Sequence, residues 1–196
     1  YLVKLGKRHM SSVDSRGLSL ELQAIGDIER MSDHALNIAQ VAQEMEEKGL
    51  TLSSTARKEI ITFSAAVNDI LERTSKAFIT ANGDRALTVE PLEEVIDEMS
   101  TIIRNRHIER LKNGKCTIEM GFALAEITTN MERIADHCSN LALYVLQMID
   151  KNALETHEYL DSIVRNQSKD FQDAYKKYKK VYSMSGIRDE VVEEML

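Results

Sequence analysis

IGDIERMSDHALNIA (residues 25–39) and TTNMERIADHCSNLA (residues 128–142) are two copies of one pattern. Six positions are identical: Glu29/Glu132, Arg30/Arg133, Asp33/Asp136, His34/His137, Asn37/Asn140 and Ala39/Ala142. In each copy Glu, Asp and Asn stand at i, i+4 and i+8. Four residues advance an α-helix by about 400°, so on a helix these side chains form one slowly drifting stripe about 12 Å long. Two acids stacked at i, i+4 repel each other by a few tenths of a kcal/mol, so a doubled acidic stripe calls for positive charge beside it. A bound cation would supply that charge, because Glu, Asp and Asn offer the oxygen ligands that hard metals prefer. The alternative is a solvated or ion-paired helix face, with Arg30 and Arg133 reaching other helices.

Outward from these copies the chain reads as helices throughout. Ser11 is an N-cap candidate, with Asp14 three residues on as its capping-box partner. Val13, Leu20, Ala24, Ile28, Met31, Ala35, Ile38, Ala42 and Met45 then recur at helical spacings, and Gly49 is placed to end that helix. A second helix is expected from near Ser53 to about Asn82, with Ile60, Phe63, Val67, Ile70, Leu71 and Phe78 apolar along it. Asn82–Gly83–Asp84 signals a turn. A third helix, bent or restarted at Pro91, should reach Leu111 and stop at Asn113–Gly114. Thr117 is the next N-cap candidate, opening the longest helix, Ile118 to about Asp150. A last helix covers roughly 154–182, and a short acidic tail closes the chain. No alternating apolar and polar run of useful length occurs, so no sheet is expected. Short connections favour antiparallel neighbours in a bundle.

The similarity between the copies extends upstream. YLVKL at the start resembles HIERL at 107–111, each ten residues before its cap, Ser11 or Thr117. A repeat of roughly 100 residues with its signature on its last long helix follows. Residues 1–49 are then the last part of a first unit, 50–150 a complete second unit, and 151–196 a C-terminal helix and tail packing on the bundle. The chain opens at Tyr1 inside a helical pattern, without a methionine, and we expect a longer parent polypeptide.

Composition agrees with a soluble helical domain. Hydrophobic residues are 43% and charged residues 29% of the 196, an ordinary globular balance, with one proline and eight glycines to break helices. The net charge of −7, with no basic stripe, argues against a nucleic-acid partner. Cys116 and Cys138 form no CxxC pair and suggest no disulfide framework. No apolar run approaches the ~18–20 residues that span a bilayer. No nucleophile–base pair, glycine-rich phosphate loop or HExxH motif is visible, so a metalloenzyme ranks below a regulatory, metal-binding module and catalysis is not expected.

Glu93 and Asp97 form a third i, i+4 acidic pair, on the helix before the second copy. In an antiparallel bundle the two stripes face one another and collect Glu93, Asp97, Glu132, Asp136 and Asn140 around one site. His34 and His137 follow their Asp residues directly, so they point about 100° away, and each is expected to hydrogen-bond a neighbouring helix instead of binding metal.

ERMSDHALNIA and ERIADHCSNLA, with EEVID at 93–97, resemble the PhoU family, whose signature is an acidic motif repeated once per three-helix unit. The resemblance covers residues 1 to about 150. It implies an all-α, elongated antiparallel bundle of two three-helix units, the first incomplete at its N-terminus. It also implies phosphate-linked regulation and, in some members, clusters of iron or other divalent metal ions. Carried over by position, one metal site uses Glu93, Asp97, Glu132, Asp136 and Asn140. The other uses Glu29, Asp33 and Asn37, with partner acids upstream of this chain. YLVKLGKRHMSS, RHIERLKNGKCT and the Tyr/Lys-rich last helix are most similar to the cytoplasmic C-terminal domain of bacterial sodium/phosphate cotransporters. The partners implied are a transmembrane transporter domain of the same polypeptide, the membrane surface on its cytoplasmic side and a second copy of the chain. A free-standing regulator of phosphate transport and signalling is the alternative within the family.

Phe171, Tyr175, Tyr178 and Tyr182 share one helical face, flanked by Lys176, Lys177, Lys179 and Lys180. The face is expected to pack on the bundle. The four lysines are candidates for binding a transporter loop or anionic headgroups.

Overall fold

In a computed structural model the chain is described over residues 11–149 and 168–187. The helical pattern that opens the chain at Tyr1, the segment 150–167 and the acidic tail lie outside those residues. The elements are α1 (Ser12–Glu47), α2 (Ser54–Thr80), a short α3 (Gly83–Ala86), α4 (Glu90–Lys112), α5 (Ile118–Ile149) and α6 (Lys169–Val181), with no strand among the described residues.

Local chemistry sets the boundaries. The Ser11 hydroxyl accepts from the Asp14 amide at 3.1 Å, and Ser53 accepts from Ala56 at 3.2 Å. At the end of α1, Gly49 takes a φ of +64°, and the Leu50 amide reaches back to the Met45 carbonyl at 2.8 Å, closing the helix. Gly114 has the same φ beyond α4. Thr117 caps α5 by accepting from the Met120 amide at 3.2 Å. The Asn82–Gly83–Asp84 turn is itself wound into α3, because the Asn82 side chain caps it by accepting from Arg85 at 2.8 Å. Pro91 stands in the first turn of α4, where its missing amide costs no helical hydrogen bond, so α4 restarts there instead of bending.

Helices α2, α4 and α5 pack on one another as a three-helix bundle. Phe63, Ile70, Leu92, Ile96, Ile103 and Val145 are almost wholly buried between them. A buried ion cluster lies in the same layer. Glu59 of α2, with no exposed surface, accepts from Arg106 at 3.0 Å and Arg110 at 2.8 Å on α4. Helix α6 lies against α4 and lays its aromatic face on the bundle, as expected. Tyr178 is buried under Arg73, the Tyr182 hydroxyl donates to Asp69 at 2.9 Å, and Tyr175 donates to Glu98.

Helix α1 contacts mainly α5, antiparallel to it. Leu20 and Ala24 meet Leu141 and Tyr144 near one end, and Val41 meets Met120, Ala123 and Ile127 near the other.

Gly121, at the end of the first turn of α5, allows α4 to approach. A Cβ there would lie 2.6 Å from Nε2 of the buried His107 ring, whose Nδ1 is already 3.8 Å from the Cys116 sulfur. Gly121→Ala therefore drives a methyl into the buried His107 ring, which must shift, and should cost about 1–3 kcal/mol, read as a lower thermal midpoint.

Candidate metal centre

Helices α4 and α5 run antiparallel, and their acidic stripes meet as a seam. Glu93 and Asp97 from α4 and Asp136 from α5 each place a carboxylate oxygen within 4.8 Å of the others. Of the acids expected at the site, these three converge. The fourth does not join them. Glu132 is turned toward α4, accepting from the Ser100 hydroxyl at 2.6 Å and from Arg104 at 3.1 Å. Asn140 lies half-buried one turn beyond Asp136. Two acids that the i, i+4 reading passed over also belong to the seam: Glu90, which accepts from Ser139 of α5, and Glu94. Both stand in the run EPLEEVID, where Glu90, Glu93 and Glu94 share a face with Asp97 at i, i+3, i+4 and i+7.

Like charges gathered on a half-buried surface disfavour ionisation. Burial, and then the charge of Asp97, pushes Glu93 up to about 9. Burial, with Glu132 and Asp136 next, raises Asp97 to about 6, while Arg104 pulls it down. Burial also raises Glu90, against the Ser139 hydrogen bond. Arg133 offsets one member of the group, pairing with Asp136 at 3.1 Å. The donor set fits a hard cation: three carboxylates on two rigid helices, close enough to share one ion, with Glu93 and Asp97 disfavoured as anions by burial and by their neighbours' charge. Glu93, Asp97 and Asp136 are the residues that could hold it.

The first copy is arranged differently. Glu29, Asp33 and Asn37 are exposed on α1, and among the described residues they join no three-acid group. Asn37 instead donates to Asn130 of α5 at 3.1 Å. The histidines bridge the helices as expected: His34 Nδ1 is 2.8 Å from Asn130, and His137 Nδ1 is 2.8 Å from Asp27. Asp27 and Asn130 occupy matching positions of the two copies, so the bridges are reciprocal, and the two rings stack at 5.6 Å between them. Asp27 is buried and also accepts from the Tyr144 hydroxyl at 2.8 Å.

Burial separates the copies further. Thr128, Ala135, Cys138, Ser139 and Ala142 of α5 are buried within the bundle. Their counterparts on α1, Ile25, Ser32, Ala35, Leu36 and Ala39, are exposed, Ile25 by 53% and Leu36 by 57%. Of the four lysines on α6, Lys179 pairs with Glu98 at 2.7 Å and lies over the Tyr175 ring, while Lys176, Lys177 and Lys180 are exposed.

The acidic seam lies on helices whose sequence is shared more widely. Residues 60–145 match the family model of the PhoU domain. The PhoU match includes Glu93, Asp97, Glu132, Asp136 and Asn140 and excludes Glu29, Asp33 and Asn37. Two curated relatives carry the same family name. The phosphate-specific transport system accessory protein PhoU homolog 1 of Thermotoga maritima is 28% identical over 125 residues, 64% of this chain and 53% of that protein. The PhoU homolog of Deinococcus radiodurans is 24% identical over 133 residues, 66% of this chain and 59% of that protein. The chain thus spans between half and two thirds of these relatives' length. No solved structure matches it significantly. The all-helical bundle is the one expected from the resemblance to PhoU chains. No helix among the described residues is long and apolar enough to cross a membrane. The two thiols are free, and burial raises both, Cys138 to about 12, so neither is poised as a thiolate nucleophile.

Proposed function

We propose that the chain is a PhoU-type regulator of phosphate transport and that the α4–α5 seam is its cation-binding centre. The observation that carries this reading is the PhoU-domain match over the segment that holds Glu93, Asp97 and Asp136. A cation bound there, iron or another hard divalent ion, would neutralise the seam, and the bundle's partner contacts would change with it. The relatives are named as accessory proteins of a phosphate-specific transport system, which favours a free-standing regulator over a domain fused to a transporter. The fused reading, a cytoplasmic regulatory domain of a sodium-dependent phosphate cotransporter, rests on YLVKLGKRHMSS, RHIERLKNGKCT and the Tyr/Lys-rich α6. In that arrangement Lys176, Lys177 and Lys180 are the cations offered to the membrane surface or to transporter loops.

The test is radiolabelled phosphate uptake in the host, comparing the wild type, a deletion and a Glu93→Gln/Asp136→Asn double variant across external phosphate concentrations. The deletion should abolish the adjustment of uptake to phosphate, and the double variant should resemble it. An unchanged response in the deletion strain refutes the regulatory role. A wild-type response in the double variant removes the seam from it. Fractionation of the same cells separates the two arrangements: a fused domain stays with membranes through an alkaline wash, and a free-standing regulator is released.

A further inference from the structure

Arg104 faces the one stripe acid that stands outside the three-carboxylate group. Its guanidinium donates to Glu132 at 3.1 Å, Ser100 donates to the same oxygen at 2.6 Å, and its charge also acts on Asp97. The Arg104 side chain is 43% exposed, and an ion pair so open to water contributes little to folding. What it does alter is the field in the seam. Glu90, Glu93, Glu94, Asp97, Glu132 and Asp136 supply the negative charge there, and Arg104 and Arg133 stand against it.

We infer that Arg104 is a tethered counter-cation that competes with a metal ion for the seam and sets how tightly that ion is held. The inference rests on the cation-binding reading above. With Arg104 in place, Glu132 is engaged and part of the seam's charge is already neutralised, so an incoming divalent ion meets a weaker attraction and one fewer available carboxylate. Arg133 does not take the same part. It reaches Asp136 within one helix, i to i+3, whereas Arg104 spans from α4 to α5 and holds an acid away from the group.

The sign of the effect distinguishes this from a merely structural role. If Arg104 only positioned Glu132, its loss would loosen the seam and weaken metal binding. If it competes, its loss tightens binding. Removing one positive charge beside a divalent ion changes affinity by roughly tenfold at effective dielectric constants between those of a protein surface and water.

Mn²⁺ titrations of the full chain, followed by calorimetry and by the electron paramagnetic resonance of free Mn²⁺ at pH 8, provide the test. Arg104→Gln should bind about tenfold more tightly than the wild type. Arg104→Lys, which keeps the charge, should stay near the wild type. Thermal melts supply the second measurement: metal-free Arg104→Gln should melt below the wild type at low salt, and saturating Mn²⁺ should raise its midpoint by more than it raises the wild type's. Equal or weaker Mn²⁺ binding by a folded Arg104→Gln protein overturns the inference and leaves the cation site standing. Absence of Mn²⁺ binding by all three proteins removes the cation site and the inference with it.

Discussion

Glu59→Ala should destabilise the protein by about 3–5 kcal/mol, a large part of the 5–15 kcal/mol that holds a typical domain together. Glu59 is wholly buried on α2, and its two oxygens take hydrogen bonds from Arg106 and Arg110 of α4. Arg110 is itself buried to within 3%. Deleting the carboxylate removes the buried acid that both guanidiniums reach, and breaking a buried ion pair from one side is costly because charge taken out of water loses compensation. Arg106 adds to the loss, since it also ties α4 to the segment after α6 by donating to the Met184 carbonyl at 3.0 Å. Urea denaturation of the variant measures the effect. Glu109→Ala is the control: Glu109 is exposed, pairs with Lys112 on the same helix, and its loss should change stability by less than about 0.5 kcal/mol. Similar midpoints for the two variants would refute the account of the buried cluster.

The second large effect is the dependence of metal-free stability on pH. Glu93 is raised from its ordinary 4.5 to about 9, first by burial and then by Asp97. A carboxyl raised in the folded state stabilises the fold fully below its unfolded pKa and loses that contribution as pH climbs through the folded value. Stability should therefore fall between about pH 4.5 and 9, with Asp97, raised to about 6, adding to the lower part of the fall. Because Glu93 is only half-buried, solvent screens much of the shift, and a loss of about 2 kcal/mol is the reasonable scale. Glu93→Gln removes the titrating proton, so it should flatten the decline and leave the variant more stable than the wild type at pH 8 without metal. Saturating Mn²⁺ should flatten the wild-type profile as well. Thermal midpoints across this range decide it, and a wild-type profile rising from pH 5 to 8 contradicts it.

Features decided within a few residues were legible in the sequence. Ser11, Ser53, Gly49, Gly114 and Thr117 mark helix ends because a cap or a positive φ depends on local chemistry alone. The meeting of Glu93, Asp97 and Asp136 was legible for a related reason: i, i+4 acids on two antiparallel neighbours have few ways to avoid each other. The position of Glu132 was not, because it depends on the register of α4 against α5, which brings Ser100 and Arg104 opposite it. Glu90 escaped notice because its partner, Ser139, is a small residue on another helix. Glu59 left a trace that was readable: it stands at i with Phe63, Ala66 and Ile70 at i+4, i+7 and i+11, an acid on an apolar face. The reciprocal histidine bridges were legible as contacts between helices, but their partners depended on which way α1 lies on α5.

Those bridges give the two long helices a mechanical relation. His137 follows Asp136 directly, and its ring is held by Asp27 of α1. A turn of α5 about its own axis that re-aims Asp136 must also swing His137, and α1 is engaged like the second wheel of a meshed pair. The stacked rings lie between the two helices, so the hub that joins them sits one residue from an acid of each ladder.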